Sequence, residues 1–372
     1  MITLFNAKKK HFLPFLLLMA VATFSFMSCG DDDDGMTTSD FDRGALLESM
    51  ADNLIIPNFT ALQSSVNDLS TAANAFVQNT AQSELTALRT AWVQAVTDHQ
   101  HCSAFGFGPA QLLLGSYAEV LGAFPVSESK IEQSIVNPDF DLENSFDRDI
   151  RGFYTVEYLI YGIGMSDSEI IASFDQDRKD FLQLIVGELK SNFDRILTEW
   201  NGSYRTTFTS NDATSAGSPL SLLYNGFVKD YENLKNFKLE LPAGLTADQD
   251  TPDGSLVEAF YSGISRDLVV EHYENSKNIW FGRSRTGQEG IGFEEYLEAV
   301  VGGPELISQT KDAIIRIDNA IANLPQGRLS ENVGTQEVAT LRDELQDNTA
   351  NFKSSIVSLL GLTITFNSGD GD

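Results

Sequence analysis

One segment concentrates the side chains that could do chemistry, and it reads DRDIRGFYTVEYLIYG from Asp147 to Gly162. On a helix, Tyr154 and Glu157 are three residues apart, so both side chains leave the same face. Glu157 has apolar and aromatic neighbours, which predicts burial, and a buried carboxylate needs a cation, a metal or hydrogen-bond donors. Arg151, on the same predicted helix, could supply the cation. Two interpretations follow: a polar pocket at Tyr154 and Glu157, or a structural hydrogen bond.

Histidine chemistry is restricted to His99, His101 and His272 once the N-terminal segment described below is removed. On a helix, His99 and His101 point about 200° apart and cannot share a metal without a break, so we expect ordinary helix polar groups. Asp98 precedes His101 by three residues and could pair with it. We expect His272, which has apolar neighbours, to be an interior histidine. The chain has no HExxH, GxSxG or Walker-type motif, which excludes those three kinds of active site.

The elements that must position these residues are helices. Apolar residues recur at intervals of three and four, as in Leu85, Leu88, Trp92 and Val96, which is the α-helical period. The same pattern predicts helices near residues 146–161, 175–200, 220–239, 255–280, 304–324 and 336–360. Only Leu362 to Phe366 alternates like a strand. The predicted fold class is all-α.

Two helical-bundle domains, a duplication with about four long helices each, are expected. The stretch from Thr206 to Ser218 is rich in Thr, Ser, Asn, Asp and Gly and interrupts the helical period. We therefore expect an N-terminal bundle over 41–205, a linker over 206–218 and a C-terminal bundle over 219–372.

The N-terminus reads as a targeting signal. Lys8 to Lys10 precede an apolar stretch that is too short for a spanning helix, and the segment ends in Phe26-Met27-Ser28-Cys29, which resembles a bacterial lipobox. We expect a lipoprotein signal peptide over 1–28 and lipidation of Cys29, the alternative being an ordinary signal peptide cut nearby. The acidic tether over 29–40 contains Asp31 to Asp34, which act either as a spacer or as a surface-export signal.

The expected location is therefore the cell envelope, with a lipid anchor at Cys29 that attaches the protein to the outer membrane. The periplasmic and the surface face both remain open. The formal net charge of −28, with 25 basic and 53 acidic residues, argues against nucleic acid as a partner, since no basic stripe is present.

The sequence resembles the imelysin-like family. Residues 152–162, GFYTVEYLIYG, resemble its GxHxxE signature, which typically reads GFHAIEYLLFG. Other pieces follow in the family's order: Ala91-Trp92 with the AFGFGP run at 104–109, Phe124-Pro125-Val126, and HYENSKNIWFG at 272–282. The resemblance covers about Phe41 to Phe366. Gly152 and Glu157 match the signature, whereas Tyr154 stands where the family has histidine.

The resemblance implies a duplicated four-helix-bundle fold with a site near the domain junction. Members are described as iron-regulated envelope proteins linked to iron uptake and related to an insulin-cleaving peptidase. Carried over by position, the expected ligand-binding residues are Gly152, Tyr154, Glu157 and Arg151, and the expected metal ligands are Glu157 and Tyr154. From the matching second-half helix, Arg266, Asp267, Glu271 and His272 are further candidates.

Three functions remain open at this point. The first is a binding protein that holds iron, an iron-bearing ligand or a peptide between two helical bundles. The second is a metallopeptidase, which the replacement at Tyr154 makes doubtful because a phenol is neither a good base near neutral pH nor an imidazole ligand. The third is a non-catalytic interaction scaffold with a vestigial site. No cofactor is assigned, although iron or another metal would suit the family.

Overall fold

A computed structural model of the chain describes residues 41–137 and 145–366. The predicted signal peptide, the lipidation site Cys29 and the acidic tether lie outside the described residues. Within them every regular element is a helix, which confirms the all-α prediction. None of these helices is long and apolar enough to cross a membrane.

In the described part of the first half there are ten α-helices, of which α2, α3 and α9 are the long ones. The bounds are α1 Arg43–Met50, α2 Ile56–Gln78, α3 Gln82–Gln100, α4 Pro109–Leu114, α5 Tyr117–Leu121, α6 Glu128–Val136, α7 Gly152–Tyr161, α8 Asp167–Ser173, α9 Gln176–Glu199 and α10 Arg205–Thr209. Two five-residue π-helical turns, Ala51–Ile55 and Trp200–Tyr204, lead into α2 and α10, and two 3-10 turns span Ser103–Phe105 and Ser145–Ile150.

The second half, as far as residue 366, contains six α-helices, four of them long. The bounds are α11 Pro219–Lys235, α12 Ser265–Phe281, α13 Phe293–Glu298, α14 Gly303–Ala322, α15 Gln336–Ala350 and α16 Val357–Leu359. π-helical segments continue α11 over Asn236–Glu240 and α15 over Asn351–Ile356, and 3-10 turns span Gly254–Leu256 and Leu329–Glu331. The alternating run from Leu362 to Phe366 is not a strand.

Apolar stripes explain why these segments are helical and how they pack. The side chains that α2 buries are spaced by three and four residues, so one face of the helix is removed from water. They are Phe59, Leu62, Val66, Leu69, Ala73 and Phe76. Helix α2 packs along α3 and α9, and α7 packs between α3 and α9. In the second half, α11 packs on α12 and α15, and α14 packs on α15.

The two halves meet where α3 ends. Helix α3 contacts α12, and the 3-10 turn Ser103–Phe105 lies against α11. Gly226 on α11 permits this approach, because a Cβ there would stand 2.4 Å from the carbonyl oxygen of Ala104. The division into two bundles at residues 206–218 stays a prediction; in the structure α10, Arg205–Thr209, overlaps the start of that region.

Candidate ligand-binding site

The signature helix begins later than the sequence predicts. Instead of one helix over 146–161, a 3-10 turn ends at Ile150, Arg151 is extended with φ −134° and ψ 178°, and α7 starts at Gly152. Gly152 has φ +79°, and a Cβ there would lie 2.4 Å from the carbonyl oxygen of Leu121. A residue with a side chain would be strained and would clash with backbone, so this position requires glycine.

Arg151 therefore does not face Glu157 along a shared helix. Its guanidinium is buried, with 5% of the residue exposed, and Nη1 lies 3.7 Å from Oε1 of Glu188 on α9. Burial raises the pKa of Glu188 to about 7, and the charge of Arg151 only partly opposes this. The structure thus places Arg151 in a contact between α7 and α9.

Tyr154 reaches into the second half of the chain. The residue is 2% exposed, and its hydroxyl donates a hydrogen bond to Oε1 of Glu258. Burial, together with the negative charge of Glu258, holds the pKa of the Tyr154 phenol well above its usual value. The neutral phenol is therefore the stable form, and a phenolate that could bind a cation is disfavoured.

Glu157 is buried, as its apolar neighbours predict, with 1% exposed. Its Oε1 accepts a hydrogen bond of 2.7 Å from the backbone N–H of Ser262. Burial raises the pKa of Glu157 to about 7, although the bonds from Ser262 oppose the change. Tyr154 and Glu157 border a cavity of only about 20 Å³, which is room for one water molecule.

Glu258 organises the polar centre of the molecule. Nζ of Lys238 lies 2.8 Å from its Oε2, and Nε2 of Gln100 donates to its Oε1 over 3.1 Å. Burial alone would raise the pKa of Glu258, but the bonds from Lys238 and Tyr154 outweigh it and hold the pKa below its usual value. Glu258 is 3% exposed, so this buried ion pair of the second half is joined to the first half by the hydrogen bonds from Tyr154 and Gln100.

Glu258 was not predicted as a site residue, although its sequence neighbours indicate burial. Glu258 lies between apolar residues in the run LVEAF over 256–260, the same feature that indicated burial of Glu157. The sequence pattern does not show that Lys238 is the cation that pairs with Glu258. Lys238 lies twenty residues earlier, and only the packing of the chain brings it to the carboxylate.

A larger cavity of about 390 Å³ lies beside this centre, where α3 and α5 face α11 and the segment that follows it. Glu258, Lys238 and His99 border it. A second cavity of about 230 Å³ shares part of this lining, including Tyr117 and Lys229, and continues toward Phe366. Together the two cavities form a concave region beside the polar centre that is large enough for an organic ligand.

The second-half candidates separate into two kinds. His272 is buried, and its Nε2 lies 2.9 Å from Oδ2 of Asp230 at the cavity. Glu271 pairs with His101 over 2.9 Å, and this bond lowers the pKa of Glu271. Arg266 and Asp267 pair with each other at 3.6 Å, and neither borders the large cavity.

Asp98 does not pair with His101. It accepts hydrogen bonds from Gln94 and from Arg285, which comes from the loop after α12. Its partner is therefore a residue from the other half of the chain.

The side chains at the signature do not fit a metal centre. The phenol of Tyr154 is protonated and already donates to Glu258, while Glu157 accepts from a backbone N–H. Over residues 41–137 and 145–366, no three His, Cys, Asp or Glu side chains are grouped so that they could hold an ion. A metal at Tyr154 and Glu157 would have to displace these hydrogen bonds.

Comparisons with known proteins bear on the fold and the family. A search of curated proteins finds no significant match. The crystal structure of a protein described as an iron-regulated protein A precursor from Parabacteroides distasonis ATCC 8503 aligns with a TM-score of 0.71 and 17% identity, covering 86% of this chain and 94% of that one. An imelysin-like protein from Psychrobacter arcticum 273-4 aligns with a TM-score of 0.67 and 18% identity, covering 89% of this chain and 100% of that one. At these identities the likeness shows a shared fold.

The family itself follows from the sequence model for imelysin, Peptidase_M75, which matches residues 55–356. This span contains the signature helix, Glu258 and every residue that lines the cavity of about 390 Å³. The match confirms the resemblance inferred from the motifs: the chain belongs to the imelysin family.

Proposed function

We propose that this imelysin-family chain is an envelope lipoprotein that binds an iron-bearing organic ligand in the cavity of about 390 Å³. The observation that carries the proposal is this cavity, bordered by the buried Glu258–Lys238 pair and by the imidazole of His99, which has no hydrogen-bond partner among residues 41–137 and 145–366. Buried polar groups beside a cavity of this size are typical of a small-molecule site. The iron-regulated description of the Parabacteroides protein supports iron as the cargo.

An organic complex suits the cavity better than a bare ion. The carboxylates that border it are already bonded: Glu258 to Lys238, Asp230 to His272 and Glu119 to Arg148. A free cation would have to displace these partners, whereas an organic ligand can pack against the apolar walls. Iron is thus cargo carried inside a complex, and the protein contacts the organic part.

Calorimetry on the full chain, purified in detergent, tests this proposal. Ferric complexes of a catecholate, a hydroxamate and citrate are titrated alongside ferric iron alone and the metal-free chelators. We expect at least one complex to bind with one-to-one stoichiometry and ferric iron alone to bind without saturation. Stoichiometric binding of the bare ion, abolished by Glu157→Gln, would favour the metal site at the signature instead.

The anchor has its own test. Cys29→Ser removes the thiol that lipidation requires, so we expect the protein to move from the membrane pellet to the soluble fraction. A variant that stays in the pellet would contradict lipidation at Cys29.

The peptidase alternative rests on one observation, the pKa of about 7 for Glu157 beside a water-sized cavity, which suits a general base. A peptide would have to reach a carboxyl that is 1% exposed, so the geometry favours binding. Incubation with an unfolded protein, with and without Glu157→Gln, distinguishes the two functions. Cleavage by the parent that the variant loses would establish the peptidase.

A further inference from the structure

The side chains at the end of α3 join the two halves of the molecule by hydrogen bonds and ion pairs. One residue there, His99, makes no such bond to a described residue. Four of the six residues from 98 to 103 bond side chains of the second half. The pairs are Asp98–Arg285, Gln100–Glu258 at 3.1 Å, His101–Glu271 at 2.9 Å and Ser103–Asp230 at 2.9 Å. His99 lies among them, yet neither of its ring nitrogens has a hydrogen-bond partner among the described residues.

The imidazole of His99 is buried beside the large cavity. The residue is 6% exposed, and its ring lies against Tyr117, with centroids 5.4 Å apart, and against Phe153 at 5.0 Å. Burial lowers the pKa of His99 to about 4, so at neutral pH the ring offers one N–H donor and one acceptor. An unsatisfied buried group costs about 1–3 kcal/mol, which a structural histidine would not retain without a partner.

The hydroxyl of Tyr117 is a second buried polar group that lacks a hydrogen-bond partner among the described residues. It borders the same cavity. Gly122 keeps the space beside His99 open, because a Cβ there would lie 3.0 Å from Cε1 of the imidazole. The imidazole of His99 and the hydroxyl of Tyr117 can thus form hydrogen bonds to a ligand at one end of the cavity.

The charge at the cavity edge indicates the sign of the ligand. Lys229 is exposed, borders both cavities and makes no ion pair with any described residue. The protein has a net charge of −28, and the carboxylates that border the cavity already have partners. The positive charge of Lys229 therefore favours a negatively charged ligand. Phe124, Phe237 and Leu241 supply apolar surface in the same cavity, and Phe237 is 48% exposed.

We propose that the cavity recognises an aromatic organic acid: Lys229 pairs with its carboxylate, His99 and Tyr117 hydrogen-bond polar substituents, and the apolar residues cover the ring. This inference rests on the proposed function, because it names the organic part of the iron-bearing ligand. His99 and Lys229 become specificity-determining residues, neither of which belongs to the signature.

Calorimetry with a matched pair of probes tests the inference on the full chain in detergent. The probes are 2,3-dihydroxybenzoate and 2,3-dihydroxybenzamide, which differ in the carboxylate, each with and without ferric iron. We expect the acid to bind about tenfold more tightly than the amide, the effect of one charge-assisted hydrogen bond. Lys229→Gln should remove this tenfold preference and leave the amide affinity unchanged.

Further variants separate recognition from folding. His99→Phe should weaken both probes about tenfold, and His99→Gln, which keeps a donor and an acceptor, should restore part of the loss. Lys311→Gln removes a charge on α14, away from the cavity, and should change neither affinity. Equal binding of acid and amide, or unchanged affinities in Lys229→Gln, would overturn the inference.

The outcome also distinguishes this inference from the proposed function. Binding of ferric citrate or a ferric hydroxamate without binding of either aromatic probe overturns the aromatic acid and keeps the iron-bearing ligand. Binding of 2,3-dihydroxybenzoate equally with and without iron supports the aromatic acid and counts against iron as cargo. Failure of every complex and every probe overturns both.

Discussion

The hydroxyl of Tyr154 donates a hydrogen bond to the carboxylate of Glu258, 104 residues later in the chain. The signature helix of the first half is thereby connected to the buried Glu258–Lys238 pair of the second half. Tyr154 acts as a neutral donor to a charged acceptor, and it does not act as an anion. The polar centre of the molecule is therefore a junction between α7 and the second half of the chain.

Removal of that donor should cost stability. Tyr154→Phe leaves the ring in place but takes one hydrogen bond from a buried carboxylate, so we expect a loss of about 2 kcal/mol in the free energy of unfolding. Tyr158→Phe is the matched control, because Tyr158 donates to Glu132 in a partly exposed position. Urea unfolding of both variants checks this. An equal loss in both would show that Glu258 gains no more from its donor than Glu132 does.

Glu157 should make the protein less stable as pH rises. Its folded-state pKa of about 7 lies above the ordinary value of 4.5, so folding favours the protonated form. Its contribution is fully present below pH 4.5 and is lost as pH rises through 7, a change of about 3 kcal/mol. Glu157→Gln imitates the protonated form and should match the parent at pH 4.5 but exceed its stability at pH 8.

Denaturant unfolding at the two pH values measures this difference. Because burial also raises the pKa of Glu188, the informative quantity is the parent–variant difference and not the parent curve alone. Glu298→Gln, at an exposed position on α13, is the control and should give no pH-dependent difference. A Glu157→Gln effect that is the same at both pH values would contradict the raised pKa.

His99→Phe should preserve stability at neutral pH and increase it in acid. The substitution removes no hydrogen bond to any described residue and leaves no partner group unsatisfied, so it should cause no loss of stability at neutral pH. The folded-state pKa of about 4 lies below the ordinary 6.5, so the parent loses stability as pH falls from 6.5 to 4. The variant lacks this loss, which amounts to about 3 kcal/mol.

His101→Phe, at the same end of α3, should change stability at neutral pH, unlike His99→Phe. His101 is 2% exposed and its Nε2 lies 2.9 Å from Glu271, so its replacement should destabilise the protein already at pH 7.5. Unfolding midpoints at pH 7.5 and 4.5 compare the two variants. A loss of more than about 2 kcal/mol for His99→Phe at pH 7.5 would mean that its nitrogens have a structural partner.

Two helix glycines should respond to alanine in opposite directions. Gly226→Ala on α11 places a Cβ 2.4 Å from the carbonyl oxygen of Ala104, and we expect a loss of about 2 kcal/mol from overpacking. Gly187→Ala on α9 meets no atom within 4 Å and should gain about 0.5–1 kcal/mol, because alanine loses less backbone entropy. Thermal unfolding measures both. A neutral Gly226→Ala would show that α11 can move away from the first half.

Local patterns explain how much of the fold the sequence predicts. Asp42 caps α1 by accepting a hydrogen bond of 2.9 Å from the backbone N–H of Ala45. The apolar stripes of α2 and α3 are buried where the period of three and four places them. Such features depend on residues within one or two turns of each other, so they are visible in the sequence.

The helix break before Gly152 was not predicted because its cause is distant. Nothing in the run from Phe146 to Tyr161 shows that the backbone of Leu121 occupies the space beside Gly152. For the same reason the sequence placed Arg151 near Glu157, whereas the structure turns it toward Glu188.

The amino-acid sequence by itself determined the all-helical class, the imelysin family and the burial of Glu157. These properties are encoded in helical periodicity, in the order of short motifs and in the apolar neighbours of one carboxylate. The tertiary structure decided which groups meet: Glu258 bonds Tyr154 and Lys238, whereas His99 has no hydrogen-bond partner among the described residues. Pairing across the two halves depends on how whole helices pack, and no local spacing specifies that geometry.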